Sequence, residues 1–201
     1  MKKVFSIIMF VLFLFPISAF AAENQAADPG SILNKPLEKI GIIIIGGADV
    51  KTPDFFNAIS ESLAQSPNEA PKYIIETSTA AQTKYQNYWT DKDFLDEQPL
   101  TKTVLLDFVK YSGYDKVLYI VINQPVMEKT TQGDGAWGYW GTSTKNRASI
   151  EVKAYLTDGE AILKSVNVAK EDDSTASPLR AKRGAFKKDM KEIALQIKDS
   201  L

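Results

Sequence analysis

Four acids lie close together at Asp91, Asp93, Asp96 and Glu97. Two carboxylates roughly 5–10 Å apart across a cleft can cleave a glycosidic bond, one giving a proton and the other staying ionised. On that reading the chain is a carboxylate-dependent hydrolase. The competing reading is a solvated, charged loop, which the sequence favours because acids are so commonly exposed. Glu171, Asp172 and Asp173 pose the same choice. Neither run has the D-x-D-x-D-G spacing of a calcium loop, so no metal site is expected. Gly46-Gly47 precedes a helix start, where free amides can receive a phosphate. Without GxxxxGK or GxGxxG it reads as a plain turn, and no cofactor is expected.

What is missing narrows the chemistry further. The chain has no histidine and no cysteine. The commonest general base, the commonest zinc ligand and every Ser-His or Cys-His nucleophile pair are therefore absent. No disulfide can form, so stability must come from the core. These exclusions point to a protein that is not an enzyme.

Two aromatic sets remain. Tyr85, Tyr88 and Trp89 sit three and four residues apart, so a short helix puts all three rings on one side. Such a stripe is more often core than a stacking platform for sugar or peptide. The second set is "GDGAWGYWGTSTKN", residues 133 to 146, which places Trp137, Tyr139 and Trp140 among glycines. Exposed Trp and Tyr dominate binding hot spots, and folding the rings down costs backbone entropy at each glycine. The alternative is a lid packed over an apolar pocket, which would suit a small-ligand carrier. A weaker candidate is the basic set Arg180, Arg183, Lys187 and Lys191 on the last helix, which would suit an anionic partner such as wall polymer or lipid headgroups. Asp189 and Glu192 dilute that patch, which favours a solvated helix back.

The start of the chain bears on where such a protein works. Lys2 and Lys3 precede an apolar run from Val4 to Phe15, and Ala19-Phe20-Ala21 is a small-x-small cleavage site. Residues 1–21 are expected to be an export signal, too short for a membrane span of about 20 apolar residues. Cleavage leaves 22 basic against 25 acidic residues, a net charge of −3 that gives no case for nucleic acid. With no cysteine at the cleavage site, the exported chain is expected to be soluble and not lipidated.

These residues must be positioned by the elements around them. Residues 22–37 read as a flexible leader, and 38–201 as one α/β domain. "KIGIIIIG" at 39–46 is a buried strand. Gly41 is a blemish in it. Thr52-Pro53-Asp54 starts a helix with a hydroxyl cap, and Phe55, Ile59 and Leu63 give it a buried face. A strand follows at 72–77, and a helix at 100–111 closes at Ser112-Gly113. "KVLYIVI" at 116–122 is the third strand, with Pro125 ending regular pairing. Residues 125–144 read as a polar, glycine-rich loop. Along 147–156, Ala148, Ile150, Val152, Ala154 and Leu156 alternate with polar residues, so one face is core and the other meets water or a partner. Asp158-Gly159 turns into a fifth strand at 161–170. Ser177-Pro178 opens the last helix, with Leu179, Phe186, Met190, Ile193 and Ile197 as its apolar stripe. Gly184 marks close packing there. The order β-α-β-α-β-β-β-α predicts a mixed five-stranded sheet with helices packed on it, its first three strands parallel.

This order, with "YSGYDKVLYIVI", "RASIEVKAYLTDGEAILKSVNV" and "SPLRAKRGAFKKDMKEIALQI", resembles the periplasmic domain shared by the curli-secretion channel protein (CsgG-like) and the amino-terminal domain of TolB. The likeness spans residues 39 to 200. It implies a cell-envelope protein that acts through protein contacts. Two departures matter. Members at the outer membrane usually carry a lipid-bearing cysteine, absent here. The curli channel lends hairpins to a transmembrane barrel, and "MEKTTQGDGAWGYWGTST" does not supply two strands of about 9–11 alternating apolar residues. Pore formation is not implied. The sequence thus leads to an exported, non-enzymatic envelope domain that binds an envelope protein or associates with itself, without a stable membrane span. The hydrolase and the ligand carrier are the alternatives.

Overall fold

Five isoleucines in six residues leave β1 (Glu38–Ile45) no polar face, so it must be covered on both sides. The computed structural model, which describes residues 36–68, 70–76, 78–94, 100–133 and 142–201, places it inside a mixed sheet. Residues 36–201 belong to one compact unit. The expected export signal and residues 22–35 of the expected leader lie outside the described residues.

The remaining elements are α1 (Pro53–Ser62), β2 (Tyr73–Ile75), α2 (Ser78–Asp91), α3 (Lys102–Ser112), β3 (Lys116–Ile122), β4 (Val126–Gly133), β5 (Thr142–Thr157), β6 (Ile162–Ser174) and α4 (Pro178–Ile197). β1 pairs in parallel with β2 and β3, as expected for strands joined by helical crossovers. β3 then pairs antiparallel with β5, and β5 with β6. The fold is α/β with helices packed on an open mixed sheet.

The sheet has six strands where five were expected. The added strand is β4, in the stretch read as a loop, and it pairs with the first half of β5 from Val126↔Ser149 to Gly133↔Thr142. β6 occupies one side of β5 over residues 146–157, so β3 and β4 share the other side, end to end. Between Ile122↔Val152 and Val126↔Ser149 four steps on one strand oppose three on the other. Pro125, which has no amide hydrogen, sits in that irregularity. β4 escaped the pattern because residues 126–131 are all exposed, so burial imposes no alternation on them. The fifth expected strand also runs on, to Ser174.

Two helix pairs sandwich the sheet centre. On one face Ile42, Ile44, Leu118, Ile120, Val152 and Ala154 pack against Phe55 and Ile59 of α1 and Phe186, Met190 and Ile193 of α4. The Phe55 and Phe186 rings meet at 4.6 Å. On the other face Ile43, Val117 and Tyr119 pack against α2 and α3 through Tyr85, Tyr88, Leu105 and Phe108. Tyr85 and Tyr88 are buried, so the aromatic stripe on α2 is core, and that helix is longer than the few residues expected. The Tyr119 hydroxyl donates to the Leu105 carbonyl at 2.7 Å, giving the most buried phenol a partner.

Local signals held unevenly. Thr101 and Ser177 cap α3 and α4 by accepting from Val104 N and Arg180 N. Thr52 does not: its hydroxyl oxygen is buried with no bond among the described residues, and the Phe55 amide that a capping hydroxyl would meet donates to the Thr52 carbonyl instead. Gly113 ends α3 at φ 71°, the left-handed conformation a glycine allows. Leu179, assigned to the apolar stripe, is 47% exposed because it lies in the first turn of α4, ahead of the residues that reach the sheet. Gly41 lets the Tyr114 ring approach β1 closely, and Gly184 lets the Asp172 carboxylate approach α4; a Cβ at either would collide.

Candidate functional site

β4 and β5 form an arm. Over Val126–Lys129 it has three strands, because β6 still pairs with β5 there. From Thr130↔Lys145 to Gly133↔Thr142 only two strands remain. Threonines and lysines suit such a ribbon, since β-branched side chains favour strands and charges keep open edges from pairing with other chains. Trp137, Tyr139 and Trp140 lie outside the described residues. Gly133 and Thr142, the paired residues that their segment joins, are the last pair of the arm.

The arm continues an uncovered sheet face. α2 and α3 pack over β1 and β3, while the same face of β5 and β6 carries a polar ladder. Glu151 accepts from Asn123 Nδ2 at 2.5 Å and Asn167 Nδ2 at 3.1 Å, with Lys153 Nζ at 3.8 Å. The bonds from Asn123, then Asn167, hold its carboxyl below the usual range. Asp173 receives Lys145 Nζ at 2.7 Å and Arg147 Nε at 3.0 Å, and these bonds lower its pKa likewise. The side of β5 expected to face water or a partner is this ladder. It is solvent-facing and internally paired, with Asn167–Glu151, Lys145–Asp173 and Arg147–Asp173 reaching from strand to strand.

The basic candidates on α4 are placed differently from one another. Arg183 pairs with Asp54 of α1, and Lys187 Nζ lies 2.7 Å from Glu61 Oε2. Arg180 and Lys191 have no ion pair among the described residues. The two paired residues form a charged seam between α1 and α4, continued by Lys182 to Asp49 in the 3-10 turn ahead of α1 at 3.0 Å. Asp189, read as diluting the basic patch, is fully buried, so it is absent from that surface. It lies four residues from both Ala185 and Ile193 on the buried face, a spacing already present in the sequence. Among the described residues neither of its oxygens is within hydrogen-bonding geometry of a donor, and burial pushes its pKa up to about 8, with the charge and then the backbone amide of Lys170 opposing.

Of the acids between 91 and 97, Asp91 and Asp93 are exposed. Asp91 accepts from the Tyr111 hydroxyl at 2.5 Å. Asp93 has φ 54° beyond the end of α2. Asp96 and Glu97 lie outside the described residues. Glu171 and Asp173 belong to the ladder, while Asp172 takes Lys188 Nζ at 2.6 Å. Gly46 and Gly47 lead into a 3-10 turn, with Gly46 pressed on Val50 and the Ile122 carbonyl. Among the described residues, no group of three or more acids could hold a metal ion, and no helix is long and apolar enough to cross a membrane.

No protein-family model matches the chain, and no curated protein matches it in sequence. Solved structures similar to it include lipoprotein GNA1162 from Neisseria meningitidis, at 16% identity and TM-score 0.40, covering 81% of this chain and 99% of that one. The hypothetical protein CT253 from Chlamydia trachomatis is 10% identical with TM-score 0.39, covering 79% and 96%. A minor lipoprotein from Acinetobacter baumannii is 8% identical with TM-score 0.33, covering 81% and 94%. Likenesses of this strength carry no function across.

Proposed function

We propose that the protein is an exported, non-enzymatic domain of the bacterial cell envelope that binds a protein partner or assembles with copies of itself. Contact is made by Trp137, Tyr139 and Trp140, helped by the outward face of β5. The observation that carries this reading is the arm. Eight strand pairs lead to the segment bearing the rings, and the described β4 side chains from 126 to 131 are all exposed. Ordering such a ribbon costs conformational entropy that its own burial does not offset. A contact made at its end would give the ribbon a use.

Export is inferred from the charged start, the apolar run and Ala19-Phe20-Ala21. The absence of histidine and cysteine from the sequence supports a binding role over nucleophilic or zinc catalysis. The resemblance to the curli-secretion and TolB domains agrees with an envelope role.

The test is capture from envelope extract, with crosslinking to register self-association. Wild-type chain should retain a specific partner or crosslink to itself. The double variant Trp137→Ala, Trp140→Ala should lose that product, at least one ring being worth about 2 kcal/mol or more. Equal capture by both chains would remove the rings from the interface.

A further inference from the structure

From Lys182 to Lys188 the basic residues of α4 are paired, and those that follow Lys188 in the chain are not. Lys182, Arg183, Lys187 and Lys188 each meet an acid. Lys191 and Lys198 do not, among the described residues. They are seven residues apart, two helical turns, and so share one face. That face lines a cleft of about 430 Å³ between the C-terminal ends of α1 and α4 and the connection from Leu63 to Tyr73. Lys72, on the opposite wall, is likewise without an ion pair among the described residues. No acidic side chain is among the lining residues.

The cleft also has an apolar wall. Leu63 is buried beneath it, whereas Leu195 on its rim is 72% exposed, the most exposed large apolar side chain among the described residues. The opposite wall is braced. Gln65 Nε2 donates to the Tyr73 carbonyl at 2.8 Å, and Lys72 N donates to Gln65 Oε1 at 2.5 Å. The Tyr73 hydroxyl donates to the Leu63 carbonyl at 2.9 Å. The space is therefore preformed, and it falls within the roughly 300–1,000 Å³ of small-molecule sites.

Three ammonium groups lining one cleft that has no acidic side chain favour an anion, and an uncovered leucine favours hydrocarbon. We propose that this cleft binds a single-chain amphiphilic anion. Its carboxylate or phosphate head lies among Lys72, Lys191 and Lys198, and its chain lies on Leu63 and Leu195. The site is at the other end of the sheet from the arm. Lys116, the first residue of β3, donates to the Ser200 carbonyl beside the cleft, whereas β3 and β4 run away from it toward Gly133. It therefore stands or falls separately from the partner contact.

Titration calorimetry with dodecyl phosphate, kept below its micelle concentration, tests this. One saturable site is expected. Lys191→Ser with Lys198→Ser should weaken it by about tenfold or more, the loss of charge-assisted bonds to the head. Leu195→Ser should weaken it as well. Lys188→Ser should leave it unchanged, because that ammonium is already held by Asp172. Equal binding of inorganic phosphate, or of dodecanol, would overturn the proposal by showing that one half of the ligand suffices. So would binding only to phosphatidylglycerol vesicles, which would mean a membrane surface, or no binding at all.

Discussion

The middle of the sheet and its outer arm obey different rules. β1 and β3 lie between two helix layers, and Ile43, Ile44, Val117, Leu118, Tyr119 and Ile120 are all fully buried. Water reaches β4 from both sides. In the first region every side chain has a fixed neighbour. In the second the backbone ladder and cross-strand polar pairs do the holding. Packing therefore sets stability in the middle, while on the arm it fixes few side chains. β5 belongs to both regions, with Ile150, Val152 and Ala154 inward and Glu151 and Lys153 in the polar ladder.

The largest effect should come from crossing that divide. Val152→Asp places a carboxylate at a fully buried site with no partner. The cost of several kcal/mol is comparable to the roughly 5–15 kcal/mol that holds a domain together, so the chain should fail to fold by circular dichroism. Lys153→Ser, one residue on, should shift the melting temperature hardly at all. Similar losses from the two would mean that the faces of β5 are not distinct.

Next comes the one acid that α4 already buries. Its raised pKa gives Asp189 a definite sign. Below about pH 4 both folded and unfolded chains hold the proton. As pH rises toward 8 the unfolded chain releases it while the folded chain keeps it, so stability falls across that window. The paired acids work oppositely. Glu76, Asp107, Glu151, Asp158 and Asp173 have lowered pKa values, and their contribution is already complete above the normal carboxylate range. Thermal melts from pH 5 to 8 should therefore decline for the wild type and run much flatter for Asp189→Asn. Parallel slopes would show that another group sets the pH dependence.

A smaller loss is expected where α4 meets β6. Gly184→Ala drives a methyl into the Asp172 carboxylate and disturbs its pair with Lys188. Overpacking of this kind costs about 1–3 kcal/mol, readable as a lower denaturant midpoint. Asp172→Ala in the same chain should restore part of it by removing the obstacle. Smallest of all should be Lys187→Ala, which deletes one exposed pair with Glu61, within about 1 kcal/mol.

The same contrast explains what the sequence revealed. Where one face is buried, alternation or helical spacing was enough. Ile150, Val152 and Ala154 are core as their alternation requires, and so are Tyr85 and Tyr88 from their helical spacing. Close approach at Gly184 was legible because a glycine inside a helix calls for a reason. β4 was not legible, because a strand wet on both faces has no hydrophobic period. Asp189 was misplaced because its type outweighed its position, although its spacing from Ala185 and Ile193 put it inward. In the cleft, the seven-residue step from Lys191 to Lys198 was visible, but Lys72 joins them only through the fold. Thr52 looked like a cap by composition alone, but the Phe55 amide bonds its carbonyl and not its hydroxyl.

The role proposed for Trp137 and Trp140 is contact with a partner and not packing in the core. The most direct measurement is thermal unfolding of the chain carrying Trp137→Ala and Trp140→Ala together. If the rings are held for a partner, the melting temperature should match the wild type within about 2 °C, since surface changes rarely exceed roughly 0.5 kcal/mol. If they are packed onto the domain, emptying even one site costs about 3–5 kcal/mol, and a drop of roughly 10 °C or more would contradict the account.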